Sequence, residues 1–325
     1  MRSQKYSVVL AVALLIVLGA LVFALRGCIR SDSRPEDRVV DKFESEPTIS
    51  LYVNETGERK QLKMEEYIAC VVAGEMLPDW PVNAYAAQAI LARTFTLAKM
   101  SEGGMHDKYG TDMSTDKEET QAYDPASVTD VIRQAVESTR GMILAHNGRY
   151  VKAWFHASSG GRTTLAKDGL AYEGDEPPYT KSVEVPAELR HIPREELNWE
   201  TSYSLNEITN LLNAAGHSVG QVQRISIVER DQTGRATVIR VIHSQGQTDL
   251  PGAVFRNAVG PDRMRSTLVT SLDSTATEVY MAGRGSGHGV GMSQWGAYGM
   301  AKEGSSPQEI VKYFFKDVEV IKLWE

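Results

Sequence analysis

The chain has 325 residues, 42% of them hydrophobic, and a formal net charge of −7 at neutral pH. That length allows one large or two modest domains with a substantial core. The acidic balance argues against a nucleic-acid binder, because phosphate recognition needs a concentrated basic surface, and it leaves neutral polymers and small ligands open.

At the N-terminus, Arg2 and Lys5 precede an apolar run from Tyr6 to Leu25, and Arg26 follows it. A helix of ~20 residues spans ~30 Å, enough for one bilayer crossing and longer than the apolar part of most cleaved signals. The run predicts an uncleaved transmembrane signal anchor over 6–25, with 1–5 as its cytoplasmic end. Arg26 and Arg30 balance Arg2 and Lys5, so the flanking charges leave orientation open. Cys28, after Leu25-Arg26-Gly27, offers lipoprotein processing as a minor alternative. Residues 26–47 are charged and aperiodic, the character of a tether between a membrane and a folded domain. The chain's two cysteines make no disulfide framework, and Cys70 reads as a small core residue.

The folded region is predicted over 48–325. Tyr67, Ile68, Val71 and Val72 form an apolar stripe that predicts a helix from Lys63 to Met76, stopped by Pro78. A second helix is predicted from Asn83 to about Met100, apolar nearly all round and therefore buried. Ser127 and Asp130 open a third, which ends near Gly141. GMILAH and RYVKAWFHA flank Asn147-Gly148, a dipeptide suited to a type I′ hairpin, and predict two antiparallel strands running into Ser158–Gly161.

Beyond Pro177 the pattern restarts. A short helix from Ser204 to Ala215, then VQRISIVER and RATVIRVIH around Asp231–Gly234, predict a smaller α+β lobe inserted over about 177–271. The strand TEVYMAG follows, and a terminal helix opens at Ser306-Pro307 with Ile310, Val311, Tyr313 and Phe314 turned inward. The expected class is α+β: a single N-terminal transmembrane helix, then a mixed helix and antiparallel-sheet catalytic domain carrying the inserted lobe.

From Gly283 to Gly299 the chain reads GRGSGHGVGMSQWGAYG, with glycine at every second position as far as Gly291. Such density allows positive φ and close backbone approach, so a ligand is expected against this segment; the spacing does not fit a phosphate loop. Glu75 lies seven residues beyond Ile68, which puts it ~20° from the apolar face of the first helix. Burial there would raise the pKa of its carboxyl and make it a general acid, although a place at the helix end also lets it reach water. Arg93 sits on an apolar face with Ala86, Ala89, Ile90 and Leu97. It either grips substrate or orders the site, or it makes a structural ion pair. His156 and His288 each adjoin a glycine-rich turn and are binding candidates, while their spacing gives no zinc set. Ser158 and Ser159, in ASSGG, lack the nucleophile-elbow pattern and are better read, with Gly160, as hydrogen-bonding groups.

Together EEYIACVVAGEM, QAILARTFTLA, AWFHASSGG, LPGAVFRNAVG and GRGSGHGVGMSQWGAYGMAKEG resemble the stage II sporulation protein D family over roughly Thr48 to Phe315. Members of that family are lytic transglycosylases of bacterial peptidoglycan, acting in forespore engulfment. The resemblance implies cleavage of the MurNAc–GlcNAc bond with formation of 1,6-anhydro-MurNAc. It also implies a single-pass location in the mother-cell membrane, with the catalytic domain extracytoplasmic and facing the septal wall. Carried over by position, Glu75 is the catalytic acid, with Asp79 its nearest rival, and Arg93 the important arginine. The substrate-binding candidates are Arg93, His156, Ser158, Ser159, Gly160, His288, Gln294 and Tyr298. Implied partners are peptidoglycan glycan strands, a sporulation amidase and an engulfment membrane protein; no nucleic acid and no cofactor are expected. Similar domains occur in amidase enhancers, so a non-catalytic wall-binding enhancer of an N-acetylmuramoyl-L-alanine amidase is the alternative. Some relatives hold zinc through Cys and His between the second and third helices. This chain has only His106 there. No metal is expected, with contacts among residues such as Asp112, Ser114 and Tyr123 in its place.

Overall fold

A computed structural model of the chain describes Val40 and residues 42–325. The first helix, Met64–Glu75, opens with Glu65 and Glu66 in its first turn, where carboxylates complement the helix dipole, and ends as Met76 turns extended before Pro78. The second, Val82–Ser101, is the longest described, and its buried positions go most of the way round, including Ala86, Ile90, Arg93 and Leu97. It forms the centre of a helical layer with Met64–Glu75, Asp130–Ser138, Gln294–Lys302 and Pro307–Phe314. Thr129 caps Asp130–Ser138, two residues later than Ser127. Ser306 and Glu309 form the capping box of the last helix, whose Ile310, Val311 and Phe314 are buried.

The membrane helix of the expected fold class needs correction. Among the described residues no helix is long and apolar enough to cross a membrane. The longest is buried within protein and carries Gln88, Arg93 and Lys99, polar groups that hydrocarbon would not accept. Among the described residues the single-pass membrane location therefore has no spanning helix behind it, and the run at 6–25 lies outside them.

The hairpin at Asn147-Gly148 forms, with φ of 51° and 71° at the two residues, but its second strand is short. Met142–His146 pairs with Arg149–Tyr150 on one side and antiparallel with Glu319–Lys322 on the other. The Lys152 amide leaves the ladder to donate to Tyr179 Oη, and Phe155–His156 pairs in parallel with Met292–Ser293 instead. That last pairing brings the two glycine-rich turns side by side.

A second buried cluster runs from Trp199 to Met281 and includes Ile208, Ile239, Val241 and Phe255. Its frame is two three-stranded antiparallel sheets. One is Val222–Arg230, Ala236–His243 and Gly246–Pro251; the other joins Asn198–Ser204, Glu278–Arg284 and Val269–Ser274. The helices Leu205–Ala214 and Gly252–Val259 complete it.

Candidate active site

Glu75 is the last residue of its helix and is half-buried. Its Oε1 accepts the backbone N–H of Ala122 at 2.8 Å. Burial pushes its carboxyl above the ordinary glutamate range, against the opposing pulls of the Ala122 N–H and Lys117. Among the described residues, Oε2 has no hydrogen-bond partner, so one oxygen remains available to carry and deliver a proton.

Segment 121–124 lies along the helix because several contacts hold it there. Gln121 is buried and accepts from Thr96 Oγ1 at 3.1 Å, the Asp124 amide donates to Cys70 O at 3.0 Å, and Tyr123 stacks on Tyr67 with ring centroids 5.8 Å apart. Gly74 makes this approach possible: a Cβ there would lie 2.9 Å from the Tyr123 nitrogen and 3.0 Å from the Ala122 carbonyl carbon. A glycine one residue before Glu75 was the available signal for close backbone contact, without saying which segment approaches.

The other end of Glu75 is held by Gln294, whose Nε2 donates to the Glu75 carbonyl oxygen at 3.0 Å and to Gln88 Oε1 at 3.4 Å. Next to it, Trp295 packs with Trp80 and Tyr298, the centroids 4.8 to 5.1 Å apart. Trp80 and Trp295 are largely buried and Tyr298 is half-buried. Asp79 is exposed, with φ of 62°.

Arg93 is fully buried, and its guanidinium is occupied. Nη2 and Nε donate to the Glu65 carboxylate at 2.5 and 3.2 Å, and Nη1 to Met142 O at 2.7 Å. Glu65 Oε1 also accepts the Gly141 amide at 3.0 Å. Of the two sequence readings, the ion pair is the one realised: Arg93 ties the first helix to the second and to the Met142–His146 strand.

Ser158, Ser159 and Gly160 surround a residue that sequence reasoning missed. Glu188 is fully buried and accepts from Ser158 Oγ at 2.6 Å, Ser159 Oγ at 2.5 Å, Ser293 Oγ at 2.7 Å, and the amides of Ser159 and Gly160 at 3.2 and 3.0 Å. Nothing near Glu188 in the chain marks it except Pro186 at the start of a short helix. Its charge faces Arg235, also fully buried, whose Nη2 donates to Ser159 O at 2.6 Å. Burial lowers the Arg235 pKa to about 10.

The glycine run meets this same network, which gives its glycines a reason within the chain. A Cβ at Gly285 would lie 2.8 Å from Ser158 O, at Gly287 2.7 Å from His156 Cβ, at Gly289 2.6 Å from the Arg235 guanidinium, and at Gly291 2.1 Å from Trp154 O. All four glycines have φ between 71° and 98°. The close partner is the chain itself. His156 and His288 do come together, with centroids 5.5 Å apart. His156 donates through Nδ1 to Val290 O at 3.1 Å, while His288 Nδ1 accepts the Val290 amide at 3.1 Å. Burial, reinforced by nearby cationic Arg235, holds His156 well below the ordinary histidine range, and burial with Arg256 lowers His288 to about 4. Both rings are neutral at pH 7 and suited to hydrogen bonding rather than to supplying a proton.

In the loop after the second helix, His106 Nε2 lies 3.0 Å from Asp112 Oδ1, and Asp112 Oδ2 accepts from Ser50 N and Oγ at 2.8 and 2.6 Å. These residues do not supply a zinc ligand set. Among the described residues no group of three His, Cys, Asp or Glu side chains is placed to share a metal ion.

Residues 52–146, which include Glu75, Arg93 and Ala122, match the family model described as Stage II sporulation protein, and residues 176–291 match a domain of unknown function. An uncharacterized protein of Brachyspira hyodysenteriae is 31% identical over 80% of this chain and 67% of its own length. Stage II sporulation protein D of Bacillus subtilis is 27% identical over 89% of the chain and 83% of its own. The Amidase enhancer of Bacillus subtilis is 25% identical over 75% of the chain, but over only 39% of its own length. The segment that carries the half-buried acid, the match to the family model and the near full-length similarity to its members agree: the chain belongs to the stage II sporulation protein D family.

Proposed function

We propose that this chain is a lytic transglycosylase of peptidoglycan that cleaves the MurNAc–GlcNAc bond during sporulation, with Glu75 as its acid and then its base. The observation that carries the reading is the Glu75 carboxyl, raised by burial, held by one N–H and free at its second oxygen. In this mechanism the protonated carboxyl gives its proton to the glycosidic oxygen as the C1–O bond breaks. The carboxylate then takes the proton of the muramic C6 hydroxyl while that oxygen attacks C1. The products are a free GlcNAc hydroxyl and a 1,6-anhydro end; Glu75 is again protonated and no water is consumed. One carboxyl serves both steps, whereas hydrolysis by the common route uses two. Tyr298, half-buried and backed by the largely buried Trp80 and Trp295, offers an aromatic edge for a pyranose ring. Glycan strands are the proposed substrate, and a sporulation amidase and an engulfment membrane protein the proposed partners.

The test is product mass. Purified chain incubated with glycan strands should release fragments lighter by one water than reducing-end fragments, and Glu75→Gln should release none. Reducing ends, or release that survives Glu75→Gln, would remove this mechanism.

Two observations favour a second reading, a wall-binding enhancer of an N-acetylmuramoyl-L-alanine amidase. Arg93, a substrate-contact candidate, is wholly engaged inside the core, and the similarity to the Amidase enhancer spans three quarters of the chain. No release without amidase, together with faster amidase turnover when the chain is added, would select it.

A further inference from the structure

We propose that Gln294 is a positioning residue for Glu75: its side-chain amide seats the carbonyl that ends the Met64–Glu75 helix and so sets where the carboxyl is presented. The role rests on the reading of Glu75 as the acid. The last carbonyls of a helix have no partner within it, and here Met76 is already extended, so the end of the helix must be fixed from outside. Gln294 does this. Its Nε2 meets two oxygens, Glu75 O at 3.0 Å and Gln88 Oε1 at 3.4 Å. The reverse orientation would face oxygen with oxygen, which fixes the amide.

Gln294 is itself held. It begins the Gln294–Lys302 helix, whose cap Ser293 accepts from the Gly296 amide at 3.1 Å and donates to Glu188 at 2.7 Å. The adjacent Trp295 amide donates to Ala157 O at 3.0 Å. Glu188 also binds both serines of the ASSGG turn, so this part of the chain cannot shift without breaking a buried carboxylate's hydrogen bonds. Glu75 is thus located by two separate segments, Ala122 on the carboxyl and Gln294 on the carbonyl. Gln294 is largely buried with its N–H group spent, so its effect falls on the acid rather than on the sugar.

The experiment compares the whole chain with Gln294→Met, which keeps the length and loses the donor, and Gln294→His, which returns an N–H at similar reach. Two readouts are taken: kcat and KM for glycan-strand cleavage, and the pH titration of the Ala122 amide proton by NMR, which follows the carboxyl it binds. Expected for Gln294→Met is a fall in kcat of roughly tenfold to a hundredfold with KM within about twofold, and an altered Ala122 titration; Gln294→His recovers both. Wild-type kcat and an unchanged Ala122 titration in Gln294→Met would overturn the role. If the wild type cleaves nothing, the reading of Glu75 as acid fails, and the Ala122 titration alone decides whether Gln294 positions it. Should Gln294→Met fail to fold, the shorter Gln294→Ser, which cannot reach the Glu75 carbonyl, takes its place: an unchanged Ala122 titration there overturns the role and an altered one supports it.

Discussion

Ala122 donates its backbone N–H to Glu75 Oε1 across 47 positions of sequence, at 2.8 Å. A main-chain donor holds the carboxyl without adding a charge beside it. An arginine in the same place would stabilise the carboxylate far more and remove the acid. Arg93, the arginine close in sequence and on the neighbouring helix, is instead neutralised by Glu65.

Glu75→Gln keeps the size of the side chain and loses the transferable proton. Release of anhydro ends should fall by at least ~10²-fold, with the fold intact by circular dichroism. Retained release would place the acid elsewhere.

The raised pKa of Glu75 has a consequence for stability. A carboxyl with a folded pKa above its unfolded value favours folding below the ordinary glutamate range, and that contribution is lost as pH rises through the raised value. Glu75→Gln cannot ionise. Its stability relative to the wild type, measured by urea unfolding, should therefore rise with pH across that window. A difference that stays flat with pH would show the carboxyl is not raised.

Gly74→Ala tests the approach of segment 121–124. In an ordinary exposed helix position alanine would stabilise by ~1 kcal/mol. Here the new methyl would lie 2.9 Å from the Tyr123 nitrogen, so the expected sign is reversed, a loss of ~1–3 kcal/mol. Activity should fall too, as the Ala122 N–H moves off Glu75. A stabilised variant with full activity would contradict this.

Arg93→Ala should cost ~3–5 kcal/mol, because it leaves Glu65 buried and unpaired. The double variant Glu65→Leu/Arg93→Met removes both charges. It should recover most of that stability and keep cleavage within about tenfold of wild type, since the pair acts on packing. Recovered stability with abolished cleavage would return Arg93 to substrate contact.

Much of the helical layer was legible in the sequence. The stripes of Met64–Glu75 and Asp130–Ser138, the all-round burial of Val82–Ser101 and the capping box at Ser306 are local features, set by periodicity and end chemistry within a few residues. Glu75 stood out for the same reason: a carboxyl on an apolar face is visible within one helix. The extent of the second hairpin strand was not, because Lys152 and Phe155 exchange their ladder for Tyr179 and Met292, partners far along the chain.

The role of each polar residue was a tertiary matter. Composition and spacing mark glycines, serines and an arginine as special without saying what they face. Gly285 to Gly291 face Trp154, His156, Ser158 and Arg235, and the serines face Glu188. Gln294 faces the end of the Glu75 helix. The sequence by itself determined most of the helical layer and the family, and it singled out Glu75 as the candidate acid, because those are written in local pattern. Only the tertiary structure decided what holds that acid, since a hydrogen bond between distant segments depends on how the whole chain packs, and no local period encodes it.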